Sequence, residues 1–355
     1  LGRVGEVAAR GFNRLGWHWW PMDAAIATEP RTGRSACNNC GPCGQGCVNH
    51  AKASVDQTYW PHALHQGVEL RTRAVTQEIL VEAGRATGVR YRTASGEEHI
   101  QPAAYVVVAC NGIGTPRLLL ASGIGGSQVG RCLMFHPVAF LKAIFEERLD
   151  GPAGPIGNSI HSHEFYETAR ERGFVRGLQF LIIREGTLLD QSTSTDARWG
   201  QDAQQQLREQ FGHSFNVLVL GEDLPELHNR VTLTSEMDED GLPKVKVSYR
   251  LSTNSRNILS YGLDRAEEMV RAAGAKRWIR TPLAPPTGWH LLGTARMGND
   301  PTTSVTDARG RCHTTPNVIV ADGSLFPTAG AVNPGSTIGA LALKIADDLA
   351  GEVAE

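Results

Sequence analysis

The pattern of hydrophobic and polar positions changes along the chain, and each pattern predicts a different kind of element. Residues 1–20, which contain GRVGEVAARGFNRLGW and end in the aromatic run WHWW, predict an N-terminal helix. Residues 68–100 alternate between apolar and polar positions around glycines, which indicates a meander of short strands. Residues 103–125 join a continuous apolar run to a glycine turn and a second apolar run. That order is typical of a buried parallel strand that leads into a helix.

The middle of the chain has a different hydrophobic pattern. Residues 140–285 mix polar and apolar positions within several strand-like stretches. A long helix is predicted at 253–274, and antiparallel strands combined with helices indicate a separate α+β domain. Residues 286–355 return to glycine-rich turns, with the strand NVIVADGS and a C-terminal helix. The middle stretch, 140–285, is therefore predicted to have a different fold class from the stretches before and after it.

Two strand–glycine–helix units, at 104–121 and 317–350, look like pieces of one doubly wound sheet. We therefore predict a mixed fold, α/β plus α+β, in which 1–139 and 286–355 build an incomplete doubly wound, Rossmann-like domain. The antiparallel-sheet domain at 140–285 is inserted between its two parts. No G-x-G-x-x-G follows an N-terminal strand, although this phosphate-binding fingerprint usually opens such a sheet. We expect a missing N-terminal segment or a partner chain to supply it.

Composition narrows the functional classes without choosing one. The net charge is −2, with 41% hydrophobic and 20% charged residues, which gives no reason to expect nucleic acid as a partner. No apolar run reaches about 18 residues, so we expect no transmembrane segment. No signal peptide is recognised, which favours a cytoplasmic location. The first residue is Leu1 rather than Met, so we expect the natural chain to begin earlier.

Four of the seven cysteines, Cys37, Cys40, Cys43 and Cys47, form a C-x2-C-x2-C-x3-C run. This is the spacing of a bacterial ferredoxin run, so the four thiolates could hold an iron–sulfur cluster of the 4Fe–4S type. A zinc site is a second interpretation, although zinc sites usually have two separated pairs of ligands. Local disulfides in an oxidising compartment, and free thiols in a structural loop, are the other two. The spacing alone leaves these four interpretations open.

The C-terminal block carries the clearest candidate chemistry. His290 opens it, Asp322 and Gly323 end a predicted strand, and Asn333 follows in VNPGST. A neutral histidine can take the proton of a hydroxyl group because its ordinary pKa is close to neutrality. A neighbouring asparagine can hold the same oxygen. Such a pair suits removal of a hydride from an alcohol carbon, and the hydride needs a cofactor as its acceptor.

The block resembles the glucose-methanol-choline (GMC) flavoprotein oxidoreductases in three motifs that occur in order, H-x-x-G-T-x-R-M-G, D-G-S-x-x-P and N-P-x-x-T. YVVVACNGIGTPRLLLASGIG is similar to the family's second flavin signature, and CLMFHP is similar to the segment after it. The resemblance covers nearly the whole chain. It implies an FAD-binding domain at 1–139 and 286–355 and a substrate-binding domain at 140–285.

The resemblance also implies roles for individual residues. His290 would be the proton acceptor and Asn333 its partner, whereas His136 in FHP is expected to be structural. The residues expected at the cofactor are Val75, Asn111, Gly112, Ala321, Asp322, Asn333, Pro334 and Thr337. Some members of the family that pass electrons outward carry a 3Fe–4S cluster in a similar loop. The C-x5-C-x3-C spacing of that loop resembles Cys37, Cys43 and Cys47.

The function predicted on these grounds is FAD-dependent oxidation of a CH–OH group in an alcohol, sugar or polyol, by proton abstraction and hydride transfer. The electron acceptor would be oxygen, a quinone or a redox protein. The absent fingerprint motivates an alternative, namely a non-catalytic iron–sulfur or electron-transfer subunit, or a degenerate remnant. A separate chain that carries the fingerprint would favour the enzyme, as one part of a heteromer.

Overall fold

The computed structural model describes residues 1–355 except 32, 42, 44–45, 150, 152, 156–157, 185–199, 285–287 and 355. The helices in this part of the chain are Gly2–Leu15 (α1), Val55–His65 (α2), Asn111–Ala121 (α3), Gln201–Gln210 (α4), Thr253–Ala273 (α5) and Gly335–Ala354 (α6). The first seven strands are Trp20–Pro21 (β1), Ala74–Glu82 (β2), Arg85–Thr93 (β3), Glu98–Pro102 (β4), Val106–Val108 (β5), Val138–Ile144 (β6) and Asn158–Ser162 (β7). The others are Leu178–Arg184 (β8), Ser214–Gly221 (β9), Arg230–Met237 (β10), Pro243–Ser248 (β11), Arg277–Thr281 (β12), Arg311–Cys312 (β13) and Thr315–Val320 (β14). None of the described helices combines the length and the apolar character needed to cross a bilayer.

The chain divides into two compact units. Unit 1 consists of residues 1–70, 138–221 and 256–285, and unit 2 consists of residues 71–137, 222–255 and 286–355. The predicted domain ranges stay a prediction, and the two compact units group residues 1–70 and 222–255 differently from those ranges. The reason is local packing, since Phe12 of α1 contacts Phe180 of β8 and Val231 of β10 bonds to the carbonyl of Gly130 at 2.8 Å.

Unit 1 is built on a six-stranded sheet with the strand order β1-β7-β8-β9-β6-β12, in which all neighbours are antiparallel. One face of the sheet packs against α1 and α5, and two glycines permit the close approach. A Cβ atom on Gly262 of α5 would lie 2.3 Å from Val219, and one on Gly11 of α1 would lie 2.5 Å from the Met269 carbonyl. The sheet and its two helices are the α+β part of the predicted fold.

Unit 2 contains three small sheets, with the orders β13-β14-β5, β2-β3-β4 and β10-β11. Strands β5 and β14 are parallel, with Val106 opposite Val318 and Val108 opposite Val320. Their apolar side chains belong to a buried core that extends to α3 and α6. Asn317 of β14 holds this sheet to the meander, because its amide donates to Ala86 O at 2.8 Å and accepts from Ala86 N at 2.9 Å.

The parallel pair confirms the mixed fold that was predicted from the two strand–glycine–helix units. β5 leads into α3, and β14 leads into a short 3-10 turn at Gly323–Leu325 before α6 begins. The carboxyl ends of neighbouring parallel strands meet at one edge of their sheet, where ligands commonly bind in such folds. The turns after β5 and β14 are therefore neighbours, although about 200 residues separate them in the chain.

Candidate active site

Two segments of unit 2, centred on Met134 and Leu292, run antiparallel and place two histidines opposite each other. Met134 N donates to Leu292 O, and Leu292 N donates to Met134 O, both at 3.1 Å. At one end of this bridge, His136 N donates to Trp289 O at 3.3 Å. Because the backbone is tied on both sides, the side chains of His136 and His290 are held in contact.

The two imidazole rings form a hydrogen-bonded pair. The Nδ1 atoms of His136 and His290 lie 2.8 Å apart, and the rings meet edge to face with their centroids separated by 4.8 Å. On the other side of its ring, His136 Nε2 lies 2.5 Å from the carbonyl oxygen of Gly330. His136 is completely buried, whereas His290 is partly exposed. The pair thus runs from the protein interior toward the surface of unit 2.

Burial governs the charge of both rings. Burial, with the neighbouring His290 as a second cause, lowers the pKa of His136 to about 4. Burial also lowers the pKa of His290 below its ordinary value. Both rings are therefore neutral near pH 7, which is the state that a proton acceptor needs. The backbone of His290 is in the left-handed region, with φ at +59°, a strained conformation that is found preferentially at functional sites.

Two glycines let the backbone next to His290 lie against the turns at the sheet edge. A Cβ atom on Gly112 would lie 2.7 Å from the carbonyl group of Leu291, and one on Gly323 would lie 2.9 Å from the same oxygen. Both distances are too short for a real side chain, so only glycine fits. The glycine at position 112, which the sequence suggested for contact with a cofactor, is thus required by the packing of the His290 segment.

The carboxylate of Asp322 joins the two turns and is fully used by protein donors. One oxygen accepts from Asn111 N at 2.9 Å and from Thr115 Oγ1 at 2.5 Å. The other oxygen accepts from Ser324 N at 2.8 Å and from its hydroxyl at 2.5 Å. Ala321 N in turn donates to Val108 O at 2.9 Å. The structure therefore brings Asn111, Gly112, Ala321 and Asp322 together, and it leaves backbone groups rather than the carboxylate to meet a ligand.

Asn333 and Thr337 lie at the start of α6, and both are exposed. Pro334 is buried between them, and its carbonyl accepts from Ile338 N at 2.9 Å in the first helical bond. Asn333 follows Gly330, the residue whose carbonyl contacts His136, by three positions. This short segment therefore connects the carbonyl that contacts His136 to Asn333 along the chain.

The first turns of α6 offer an open surface to a polar group. Nothing lies within 4 Å of a Cβ atom placed on Gly335 or on Gly339. Helix N-termini carry free N–H groups and a partial positive charge, which suit phosphate and polar cofactor edges. These residues therefore fit a large polar cofactor such as FAD. Val75 lies in another part of unit 2, in β2 opposite Arg92, and is partly buried.

The cysteine run lies in a loop of unit 1, of which Pro42, Gly44 and Gln45 are outside the described residues. The four thiols are free, and backbone hydrogen bonds, chiefly that of Lys52, lower the pKa of Cys47. No three His, Cys, Asp or Glu side chains in the described part of the chain are close enough to share a metal ion. The metal-ligand assignment of Cys37, Cys40, Cys43 and Cys47 stays a prediction.

Sequence reasoning expected His136 to be structural and assigned it no partner. His136 contacts His290 across 154 positions of the chain, a separation at which the sequence alone shows no pairing. The signal that could have found it is its place in CLMFHP, one of the segments that carried the family resemblance.

Comparison with known proteins matches this chain to one described family. Family profiles described as GMC oxidoreductase match residues 6–138 and 225–342. The chain is 41% identical over 98% of its length to 2-methyl-1,2-propanediol dehydrogenase of Mycolicibacterium austroafricanum, and it spans 66% of that protein. It is 31% identical over 96% of its length to 6'''-hydroxyparomomycin C oxidase of Streptomyces lividus, and it spans 62% of that protein.

A solved structure supports the fold independently of sequence identity. The crystal structure of pyridoxine 4-oxidase from Mesorbium loti matches with a TM-score of 0.66, over 97% of this chain and 69% of that chain, at 14% identity. The chain spans less than two thirds of the length of the two curated relatives named above. The two family matches and the 41% identity show that the chain belongs to the GMC oxidoreductase family.

Proposed function

We propose that this chain is the catalytic part of an FAD-dependent oxidoreductase that oxidises the CH–OH group of an alcohol. The observation that carries the proposal is the neutral pair formed by His136 and His290 in unit 2. His290, the more exposed ring, accepts the proton of the substrate hydroxyl group. Asn333 holds the same oxygen through its side-chain amide and orients it.

The residues that would hold FAD are the backbone groups of the turns at Asn111 and Ala321 and the open start of α6 near Thr337. When bound, FAD supplies the acceptor for the hydride that leaves the alcohol carbon. The protein contributes the base, the orientation of the hydroxyl group, and a carboxylate at Asp322 that keeps the two turns together.

The substrate class that we propose is a small diol or polyol. The most direct support is the 41% identity to a protein named 2-methyl-1,2-propanediol dehydrogenase, since that name specifies a vicinal diol. The second curated relative is named as an oxidase of an aminoglycoside, which is also rich in hydroxyl groups. The electron acceptor that completes the reaction is oxygen, a quinone or a redox protein.

A further segment, in this chain or a partner chain, completes the site in our proposal. The support is the missing G-x-G-x-x-G fingerprint together with the partial span of the relatives. An iron–sulfur cluster at the cysteine run and a cytoplasmic location stay predictions. Iron and acid-labile sulfide in the purified protein would establish the cluster, and their absence would leave the cysteines as thiols or as zinc ligands.

The decisive experiment joins cofactor analysis to turnover. We expect acid treatment of the purified natural protein to release FAD, identified by its absorbance and chromatographic mobility. We also expect 1,2-propanediol to support reduction of an added quinone or dye. Release of FAD without turnover of any alcohol would favour the alternative of an electron-transfer subunit. A protein that contains no flavin under any condition would overturn the proposal.

A further inference from the structure

The bonds around His136 determine where its hydrogen atom lies. A carbonyl oxygen can only accept a hydrogen bond, so the 2.5 Å contact with Gly330 requires the hydrogen to be on Nε2 of His136. Burial keeps this ring neutral at pH 7, and a neutral imidazole carries one hydrogen. Nδ1 of His136 therefore has a lone pair and is an acceptor.

The same reasoning extends to the second ring. The Nδ1 atoms of His136 and His290 are 2.8 Å apart, which is a hydrogen-bond distance. Since His136 accepts at this contact, Nδ1 of His290 must be the donor. A bare Nδ1 on His290 would place two lone pairs against each other at that distance. His290 thus carries its hydrogen on Nδ1, and its Nε2 has a free lone pair.

We propose that His136 is a positioning residue, which holds His290 as the Nδ1–H tautomer and so leaves Nε2 of His290 as the proton acceptor. The assignment of the tautomer rests on the bonds of unit 2 alone. Its catalytic use rests on the proposed function, because that function identifies an alcohol as the proton donor.

This arrangement permits transfer of the hydroxyl proton of the substrate to Nε2 of His290. The O–H bond of the substrate breaks, its electron pair stays on the substrate oxygen, and the proton bonds to Nε2 of His290. The resulting imidazolium keeps its Nδ1–H bond to His136, which strengthens because the donor is now charged. His136 gains no proton. The bridge between Met134 and Leu292 keeps the rings in place throughout.

Nitrogen NMR of the intact protein tests the tautomer directly. In protein labelled with 15N-histidine, we expect His290 to show a protonated Nδ1 and an unprotonated Nε2 at pH 7, with His136 showing the reverse. Spectra of the His290→Gln and His136→Gln variants assign the signals. A hydrogen on Nε2 of His290 in the wild-type protein would overturn the proposal, whatever the activity of the variants.

Two substitutions at His136 test its consequence for the reaction. His136→Leu removes the acceptor, so we expect His290 to populate both tautomers and kcat to fall by about 10² or more. His136→Gln keeps one donor and one acceptor, so we expect it to restore the Nδ1–H tautomer and part of the lost kcat. Equal losses in two variants that both fold and retain FAD would overturn the positioning role.

These outcomes separate the two proposals. If the wild-type spectrum shows the expected tautomer but His290→Gln leaves turnover intact, then the base assignment fails and the tautomer assignment stands. If His290→Gln abolishes turnover but the tautomer is reversed, then the base is confirmed and the role of His136 is wrong.

Discussion

The two units each contain a pair of histidines, and the pairs differ in their hydrogen bonds rather than in their burial. In unit 1, His161 and His163 of the β7 region have ring centroids 5.1 Å apart, and both rings meet Trp20 edge to face. Burial lowers the pKa of His161 and lowers that of His163 to about 4. The pKa values of His136 and His290 in unit 2 are lowered for the same reason.

The contacts of the two pairs distinguish them. His161 Nδ1 lies 3.0 Å from the Gln179 amide nitrogen, while the Nε2 atoms of His161 and His163 have no partner among the described residues. His136 and His290 are hydrogen-bonded to each other, and His136 is also bonded to the Gly330 carbonyl. Because this carbonyl can only accept, each ring donates in the same direction, from His290 to His136 and from His136 to Gly330. A lowered pKa therefore identifies a buried histidine, whereas a directed chain of bonds identifies one that is prepared to accept a proton.

The largest expected difference between the pairs is in turnover. We expect His290→Gln to lower kcat by about 10³, since general base catalysis contributes on the order of 10²–10⁴. His163→Gln is the matched control, and we expect its kcat to stay close to that of the wild-type protein. Steady-state kinetics with 1,2-propanediol, normalised to bound FAD, measure both. Similar losses at both positions would remove the distinction between the pairs.

In pH-dependent stability the two pairs should behave alike. His136 has a pKa of about 4 in the folded protein, below the ordinary value of 6.5, so between these pH values only the unfolded state binds the proton. Stability from this residue is complete above pH 6.5 and falls as the pH decreases toward 4. The loss is on the order of 3 kcal/mol at an ordinary conversion of pKa into free energy.

Chemical unfolding at pH 7 and pH 5 measures this effect. His136→Gln and His163→Gln should each make the free energy of unfolding less dependent on pH, because each removes one group that only the unfolded chain protonates in this range. A variant with the full pH dependence of the wild-type protein would show that its histidine is protonated in the folded state.

A substitution with a smaller expected effect tests the packing of the backbone segment that carries His290. In Gly112→Ala the new Cβ would lie 2.7 Å from the Leu291 carbonyl group, so we expect a loss of about 1–3 kcal/mol of stability and a lower kcat. Gly351→Ala in α6 is the control, because nothing lies within 4 Å of its added Cβ and alanine favours a helix. Thermal unfolding and turnover of both variants make the comparison. Equal behaviour would mean that the His290 segment adapts to the extra methyl group.

The elements that sequence reasoning predicted well were those with a local signal. The parallel strands β5 and β14 are short apolar runs followed by glycine turns, and the two runs do pair in parallel. His290 and Asn333 stood out because ordered motifs surround them. The substitution His290→Gln described above tests the predicted role of His290.

The features that the sequence did not predict depend on contacts between segments that are distant in the chain. The amphipathic helix α1 could cover any apolar sheet face, and its contacts with Phe180 of β8 and Met269 of α5 assign it to unit 1. His136 carries no local sign of a partner 154 positions away. The cysteine run has a recognisable spacing, but spacing does not define whether a loop brings its thiols to one point.

The carbonyl of Gly330 determines by which route a proton can leave His290. A backbone carbonyl cannot take up a proton at ordinary pH. The hydrogen-bonded chain from His290 through His136 to Gly330 therefore cannot carry a proton away from His290. A proton that arrives at Nε2 of His290 has to depart from the same atom, toward the side from which it came. In the proposed reaction, each cycle therefore needs the departure of product, and contact with water or buffer, before His290 can accept another proton.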